Sequence, residues 1–217
     1  MHKLVFLLII LYSLDLFPQS SIPSQSFFDG AIIAEVTSHG DYIWVATYGR
    51  GIHRYSKKDG TWKSYSTQEK NIDNDFFYTI AASNEFVWAG TTDGLFIYDI
   101  KRDQWRKRKF ALGGELGNWI RALYYDSKTN ILYIGRFKNI TRLDVARNRF
   151  TDRDLTRGND PKTNTVKSIR VDDENSLWVG TEAGVHVYNK KMNFDNANAW
   201  RFINNRQNGF NGDGEAV

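Results

Sequence analysis

A short motif occurs four times in this chain and limits the possible folds more than any other feature. Each copy starts with an aromatic residue, and the copies are Trp44–Thr47, Trp88–Thr91, Tyr133–Arg136 and Trp178–Thr181. The leading aromatic recurs after 44, 45 and 45 residues. A fixed period of this length is typical of repeat architectures, in which every unit is one supersecondary structure that packs against its neighbours.

Each repeat reads as four short strands, most clearly in the fourth unit. Residues 166–171 alternate apolar and polar side chains, as a half-buried strand does. Residues 177–181, 185–188 and 200–203 follow as further strands, and Gly184 lies in the tight turn between the first two of these. Four antiparallel strands in 44 or 45 residues predict the blade of a β-propeller.

The predicted fold is therefore all-β, a propeller of four-stranded antiparallel blades with four blades present in a partial, open ring. We expect the leading aromatics to fill the space between blades rather than to contact ligand. The residue two positions later is small in every copy, which leaves room for a large side chain of the next blade. These small residues are Ala46, Gly90, Gly135 and Gly180. The predicted blades are 32–65, 77–110, 120–150 and 166–203.

The third unit deviates most from the pattern. Tyr133 replaces tryptophan, Arg136 replaces threonine, and Asn139 stands where the other units have glycine in the next turn. Asparagine is the next best residue for a left-handed backbone conformation, so we expect the turn to form.

Residues 1–25 have the layout of a secretory signal peptide, with a basic start, an apolar run from Leu4 to Phe17 and then small residues. As a helix, this run would span about 21 Å, short of the roughly 30 Å hydrocarbon core, which disfavours a membrane anchor. Residues 27–217 are predicted to be the propeller, with 204–217 as the start of a fifth unit. We therefore expect a periplasmic or secreted location and a chain that is the front part of a longer protein, attached to a membrane only through downstream segments.

The fourth unit resembles the two-component regulator propeller repeat. The residues that carry the resemblance are Val166, Ile169, Asp172, Leu177–Thr181, Gly184, Val185 and Tyr188. The resemblance is good in the first two units and weak in the third. It implies a seven-bladed propeller in the periplasmic sensor part of hybrid histidine kinases, many of which sense oligosaccharides. The implied partners are an oligosaccharide and further propeller blades or a second copy.

The strand order of a propeller places the loops between second and third strands on the same side as the connections between blades. Arginines, carboxylates and an exposed aromatic on this side would suit a sugar or an acidic sugar, through stacking and bidentate hydrogen bonds. The candidate ligand-binding residues are Tyr48, Arg50, Asp93, Glu115, Trp119, Arg136, Lys138 and Glu182.

No catalytic residue, metal site or cofactor is predicted. The chain has no cysteine, and no Ser-His-Asp set stands out. The equivalent third-strand positions of His53 and His186 favour a packing role over metal binding. Residues 172–175 lack the alternating oxygen ligands and the glycine of a calcium loop. The Ser-x-Asp-x-Gly-x-Thr-Trp turn that is typical of propeller sialidases is absent, although Asp59–Trp62 partly resembles it.

The net charge of +4 is mild and does not indicate an acidic partner. Six basic residues surround Trp105 within Lys101–Lys109. A nucleic-acid contact would require such a patch, but a signal peptide favours a solvated outer edge protected by charge. No nucleic-acid partner is therefore predicted.

Three functions remain open. The first is a non-enzymatic, extracytoplasmic ligand-sensing propeller on the input side of a two-component regulator that responds to a glycan. The second is a stand-alone exported binding or scaffold protein, and the third is a propeller glycoside hydrolase. The sequence leaves open the ligand, the blade number of the intact protein, the oligomeric state and any output module.

Overall fold

The structure is a computed structural model that describes residues 28, 30–111, 115–172 and 175–204. The predicted signal peptide, residues 1–25, lies outside the described residues, as does the predicted start of a fifth unit beyond Asn204. Within the described ranges, no helix has both the length and the apolar character needed to span a bilayer.

Four antiparallel sheets of four strands follow one another along the chain, and in each the spatial order of the strands is their order in sequence. The first sheet contains β1 (Ile32–His39), β2 (Tyr42–Tyr48), β3 (Ile52–Ser56) and β4 (Thr61–Tyr65). The second contains β5 (Thr79–Ala82), β6 (Phe86–Thr91), β7 (Gly94–Asp99) and β8 (Gln104–Arg108).

The third sheet contains β9 (Ile120–Asp126), β10 (Ile131–Arg136), β11 (Ile140–Asp144) and β12 (Arg149–Arg153). The fourth contains β13 (Val166–Val171), β14 (Ser176–Thr181), β15 (Val185–Asn189) and β16 (Trp200–Ile203). The described helical segments are short: α1 (Glu115–Asn118) and the 3-10 turns Pro161–Asn164 and Ala197–Ala199.

The first strands line the inner side of the assembly, where β1 contacts β5, β5 contacts β9, and β9 contacts β13. The sheets do not close into a barrel, so the four blades form part of an open propeller. This confirms the predicted all-β fold of four-stranded antiparallel blades.

The sheets pack face to face through a large side chain that sits on a small one. A Cβ atom on Gly135 would lie 2.4 Å from Cγ1 of Val166, which begins the next blade. A Cβ atom on Gly90 would likewise lie 2.6 Å from Cγ2 of Ile120. Only glycine permits this approach at these two positions, so Gly90 and Gly135 serve the blade contact as predicted.

The leading aromatics are buried in three blades and exposed in the fourth. Trp44 and Trp88 are 1% exposed and Tyr133 is 2% exposed, whereas Trp178 is 38% exposed. The expectation of core packing is therefore wrong for Trp178. Its face of the sheet is the one that, in the other blades, receives the following blade, and its indole N–H instead donates a hydrogen bond to Oδ2 of Asp172 at 2.7 Å.

The threonine that ends the motif closes the turn after it. Its hydroxyl donates to a glycine carbonyl in three blades, with Thr47 to Gly51 at 2.8 Å, Thr91 to Gly94 at 3.0 Å and Thr181 to Gly184 at 2.7 Å. In the third blade, Asn139 adopts the left-handed conformation, with φ of 77°. The turn therefore forms there without glycine, as expected.

His186 is a buried packing residue. Its ring centroid is 4.6 Å from that of Phe202, and its Nε2–H donates to the carbonyl oxygen of Thr163 at 2.8 Å. Burial lowers the pKa of His186 to about 4, although the hydrogen bond to Thr163 opposes this shift. The equivalent His53 is also buried, and its Nδ1 is 2.9 Å from Oγ of Ser64.

Candidate functional site

A row of five aromatic side chains crosses one side of the open ring from blade one to blade three. Its members, hereafter the aromatic row, are Phe76, Tyr48, Tyr78, Trp119 and Phe137. In that order, neighbouring ring centroids are 5.0, 5.4, 5.6 and 5.2 Å apart. Spacings of this size are those of direct aromatic contact.

The fold brings the aromatic row together from parts of the chain that share one side of the blades. Tyr48 ends β2 and pairs with Phe76 through an isolated antiparallel bridge. Trp119 immediately precedes β9, and its carbonyl accepts a hydrogen bond from the backbone N–H of Phe137 at 2.9 Å. The row therefore combines connections between blades with the ends of second strands.

The aromatic row offers apolar surface to solvent at its blade-one end. Phe76 is 51% exposed and Tyr48 is 41% exposed, while the other three rings are half-buried. Exposed aromatic surface of this kind is typical of interaction sites, because leaving it in contact with water is unfavourable.

Two polar groups of the row have unusual surroundings. Partial burial, together with the hydrogen bond to Tyr48, raises the pKa of Tyr78 to about 12. The indole N–H of Trp119 is enclosed and has no hydrogen-bond acceptor among the described residues. An enclosed donor without an acceptor costs about 1–3 kcal/mol, which makes it a feature to explain.

An ion pair lies at the blade-three end of the row and joins it to blade four. Nη1 of Arg121, on β9, is 2.9 Å from Oε1 of Glu182, in the turn between β14 and β15. The side chains are 21% and 25% exposed. The guanidinium lies 5.2 Å from the ring centroid of Trp119 and 5.7 Å from that of Phe137, within cation–π distance of both rings.

The structure brings together three of the eight residues proposed from sequence, Tyr48, Trp119 and Glu182. Lys138 follows Phe137 directly and is exposed. Glu115 begins α1, and its side chain lies outside the described part of the structure.

The other three candidates have different surroundings. Arg50 is exposed and borders a separate cavity of about 300 Å³ with His53 and Ser64. Asp93 forms ion pairs with Lys107 at 2.9 Å and Lys109 at 2.7 Å, and hydrogen bonds from these lysines, that from Lys109 foremost, hold the pKa of Asp93 below its usual value.

Arg136 points into the protein rather than to solvent. It is 3% exposed, its Nη1 donates to the carbonyl of Gly117 at 3.0 Å, and its Nη2 lies 2.7 Å from Oδ2 of Asp152. The guanidinium is also 4.8 Å from the ring centroid of Phe110. These contacts give Arg136 a structural role between blades two and three, in place of the threonine hydroxyl.

Sequence reasoning missed Phe76, Tyr78, Phe137 and Arg121. Phe76, Tyr78 and Arg121 lie next to or within the start of the first strand of a blade. An apolar residue is already expected there for the core. A second aromatic flanking that core residue, as Phe76 and Tyr78 flank Phe77, is a signal that could have identified them.

Neighbouring carboxylates pair with three of the six basic side chains in the segment Lys101–Lys109, namely Arg102, Lys107 and Lys109. Arg102 pairs with Asp99 at 2.5 Å, and Lys107 pairs with both Asp73 and Asp93. Arg108 instead lies 3.8 Å from the ring centroid of Phe150. These contacts agree with a charged outer edge. Elsewhere, the described residues include no group of three side chains suited to hold a metal ion.

Comparison with protein-family models and with curated protein sequences gave no match. Comparison with solved structures gave several matches. The extracellular domain of the hybrid two component system BT4673 from B. thetaiotaomicron is 18% identical, with a TM-score of 0.66 over 83% of this chain. That of the hybrid two component system BT3049 from the same organism is 21% identical, with a TM-score of 0.59 over 79% of this chain.

This chain spans 23% and 21% of the lengths of those two structures. The WD40 repeats of RRP9 are also similar, at 13% identity and a TM-score of 0.62, over 82% of this chain and 53% of that one. At these identities the likeness is one of fold, and the bacterial neighbours agree with the repeat family that the sequence resembles. The described part of the chain forms four blades of an open β-propeller, similar in fold to the extracellular domains of two-component systems.

Proposed function

We propose that this chain is an extracytoplasmic ligand-sensing propeller, the input part of a two-component regulator, and that the aromatic row binds an extracellular glycan. The observation that carries this proposal is the row itself, which continues through Arg121 and Glu182 to blade four. Sugar rings have apolar faces and hydroxyl edges, so they suit aromatic faces flanked by charged hydrogen-bonding groups.

The row and the Arg121–Glu182 ion pair together connect all four described blades, and this suggests how binding could become a signal. A ligand that contacts Tyr48 and Trp119 would touch residues of blades one and three. Such a ligand would bind most tightly to the relative arrangement of the blades that gives the best contacts. Binding would therefore raise the population of molecules in that arrangement. The proposed output is a change in how propellers dock in a dimer.

The extracellular domains of two-component systems among the structural neighbours support the extracytoplasmic location and the sensing role. A glycoside hydrolase would use two carboxyl groups roughly 5–10 Å apart. Among the carboxylates whose side chains the structure describes, Glu182 is linked to the row through its ion pair with Arg121. The proposed activity is therefore binding without hydrolysis.

A binding experiment tests the proposal. The purified chain is titrated calorimetrically with oligosaccharides selected on a glycan array, and the sugar is recovered and sized by chromatography. We expect binding with intact sugar and a loss of at least about tenfold in affinity for Trp119→Ala, because stacking is removed. The control, Trp178→Phe, changes an exposed indole outside the row.

Two results would contradict the proposal. If no glycan binds, the glycan-sensing function is wrong. If the sugar is cleaved and Glu182→Gln abolishes the cleavage, the hydrolase is the correct alternative.

A further inference from the structure

The charge at the aromatic row is balanced within the protein. The guanidinium of Arg121 is the cation that touches the row, and Glu182 neutralises it at 2.9 Å. Both side chains are about three-quarters or more buried, so water screens this pair less than it screens a surface pair.

An acidic sugar would meet an unfavourable environment at this pair. Its carboxylate would have to displace Glu182 from Arg121, or lie beside the Glu182 carboxylate in a partly desolvated place. Either arrangement separates a formed ion pair or brings two anions together, and both cost free energy. A neutral sugar avoids both costs.

The other candidate cations do not alter this balance. Arg136 is buried against Asp152, and Lys107 and Lys109 are paired with Asp93. Arg50 and Lys138 are exposed, and an exposed cation contributes little to the binding of an anion because solvent and salt screen it.

We infer that the aromatic row selects neutral oligosaccharides over oligosaccharides that contain uronic acids. This inference rests on the proposed glycan-binding function and names the class of glycan. The sugar faces stack on the row. The remaining N–H groups of Arg121 donate to sugar hydroxyls, and the Glu182 carboxylate accepts from them, since the two groups together offer donors and acceptors to adjacent hydroxyls.

The test compares two sets of hexasaccharides with the full chain by glycan array and then by titration calorimetry. The neutral set contains glucose, xylose, mannose and galactose hexasaccharides, and the anionic set contains those of galacturonic and mannuronic acid. We expect the best neutral ligand to bind at least about tenfold more tightly than any anionic one at physiological salt.

Glu182→Gln is the informative variant, since it keeps the size of the side chain and removes the negative charge. It should free Arg121, raise the affinity for uronic-acid hexasaccharides by about tenfold and lower that for the neutral ligand. Glu85→Gln is the matched control, because Glu85 is exposed in the turn between β5 and β6, on the side opposite the row. If Glu182→Gln does not fold by circular dichroism, Arg121→Gln replaces it and should weaken neutral binding while leaving anionic binding weak.

The outcomes separate the inference from the function. Tighter binding of an anionic hexasaccharide by the wild type overturns the inference while the glycan-binding function stands. An unchanged neutral-to-anionic ratio in Glu182→Gln also overturns it. Absence of binding to either set overturns the proposed function itself.

Discussion

His186 occupies a repeat position that is filled by a different side chain in almost every blade. The equivalent residues are His53, Phe96 and Thr141, and all four are at most 7% exposed. The position therefore requires a buried side chain, but it accepts side chains of different shape. Histidine adds an ionisable group there, and its Nδ1 has no hydrogen-bond partner among the described residues.

We expect His186 to make stability depend on pH. Its pKa is about 4 in the folded protein, lowered mainly by burial, against 6.5 when unfolded. The unfolded state then binds more protons between these values, so the free energy of unfolding falls as pH drops from 6.5 to 4, by up to about 3 kcal/mol. Urea unfolding at pH 7.5 and pH 4.5 measures the fall.

The matched variant is His186→Gln, whose amide can still donate to the carbonyl of Thr163. It should lose less stability between the two pH values than the wild type does. Equal losses in the two proteins would show that His186 does not titrate as described.

At the scale of the blade, the contact between one sheet and the next depends on paired sizes. Gly135 and Val166 belong to successive blades, and the approach of their atoms leaves no space for an added methyl group. Ile120 repeats the arrangement on Gly90, so the contact is a property of the repeat. An ion pair between Asp126 and Lys190, both at most 7% exposed, adds a polar link between blades three and four.

Gly135→Ala should destabilise the chain by about 1–3 kcal/mol, because the new methyl group would overlap with Val166. The measurement is urea unfolding followed by tryptophan fluorescence. Val166→Ala alone also destabilises, because it leaves a cavity.

The double variant tests the contact directly. With both substitutions, the loss in the free energy of unfolding should be smaller than the sum of the single losses, since the two residues compete for one space. Strict additivity would show that the added methyl group does not meet Val166.

At the scale of the whole molecule, the four blades of the described residues have two outward faces. On blade one, Val36 is 55% exposed, although the equivalent Ile80, Leu123 and Ile169 are at most 4% exposed. On blade four, Trp178 is 38% exposed. We propose that further blades of the same repeat, or a second copy of the chain, cover these faces.

The chain by itself should therefore associate through Trp178. Sedimentation velocity across a range of protein concentrations should show association of the wild type and a shift toward monomer for Trp178→Lys, because a charge cannot be buried in an apolar contact without a partner. Leu116→Lys is the control, as Leu116 is 53% exposed but lies on α1, away from that face. A wild type that is monomeric at every concentration would contradict the prediction.

The sequence by itself determined the repeat, the strands and the turns. Alternating side chains, the recurring motif and Gly184 are local signals, and a strand or a left-handed turn depends mainly on nearby residues. The role of Gly135 beneath a large neighbour was also predictable, because the period shows which positions recur at the contact between blades.

Only the tertiary structure decided which loop side chains meet. Arg136 and Glu182 looked alike as exposed charges, yet Arg136 turns inward to Asp152 while Glu182 pairs with Arg121, 61 positions away in the chain. Trp178 occupies the same repeat position as Trp44, but Trp44 is buried and Trp178 is exposed. The reason is physical: burial and charge pairing depend on what the neighbouring blade places opposite a residue, and a residue's own sequence context does not contain that information.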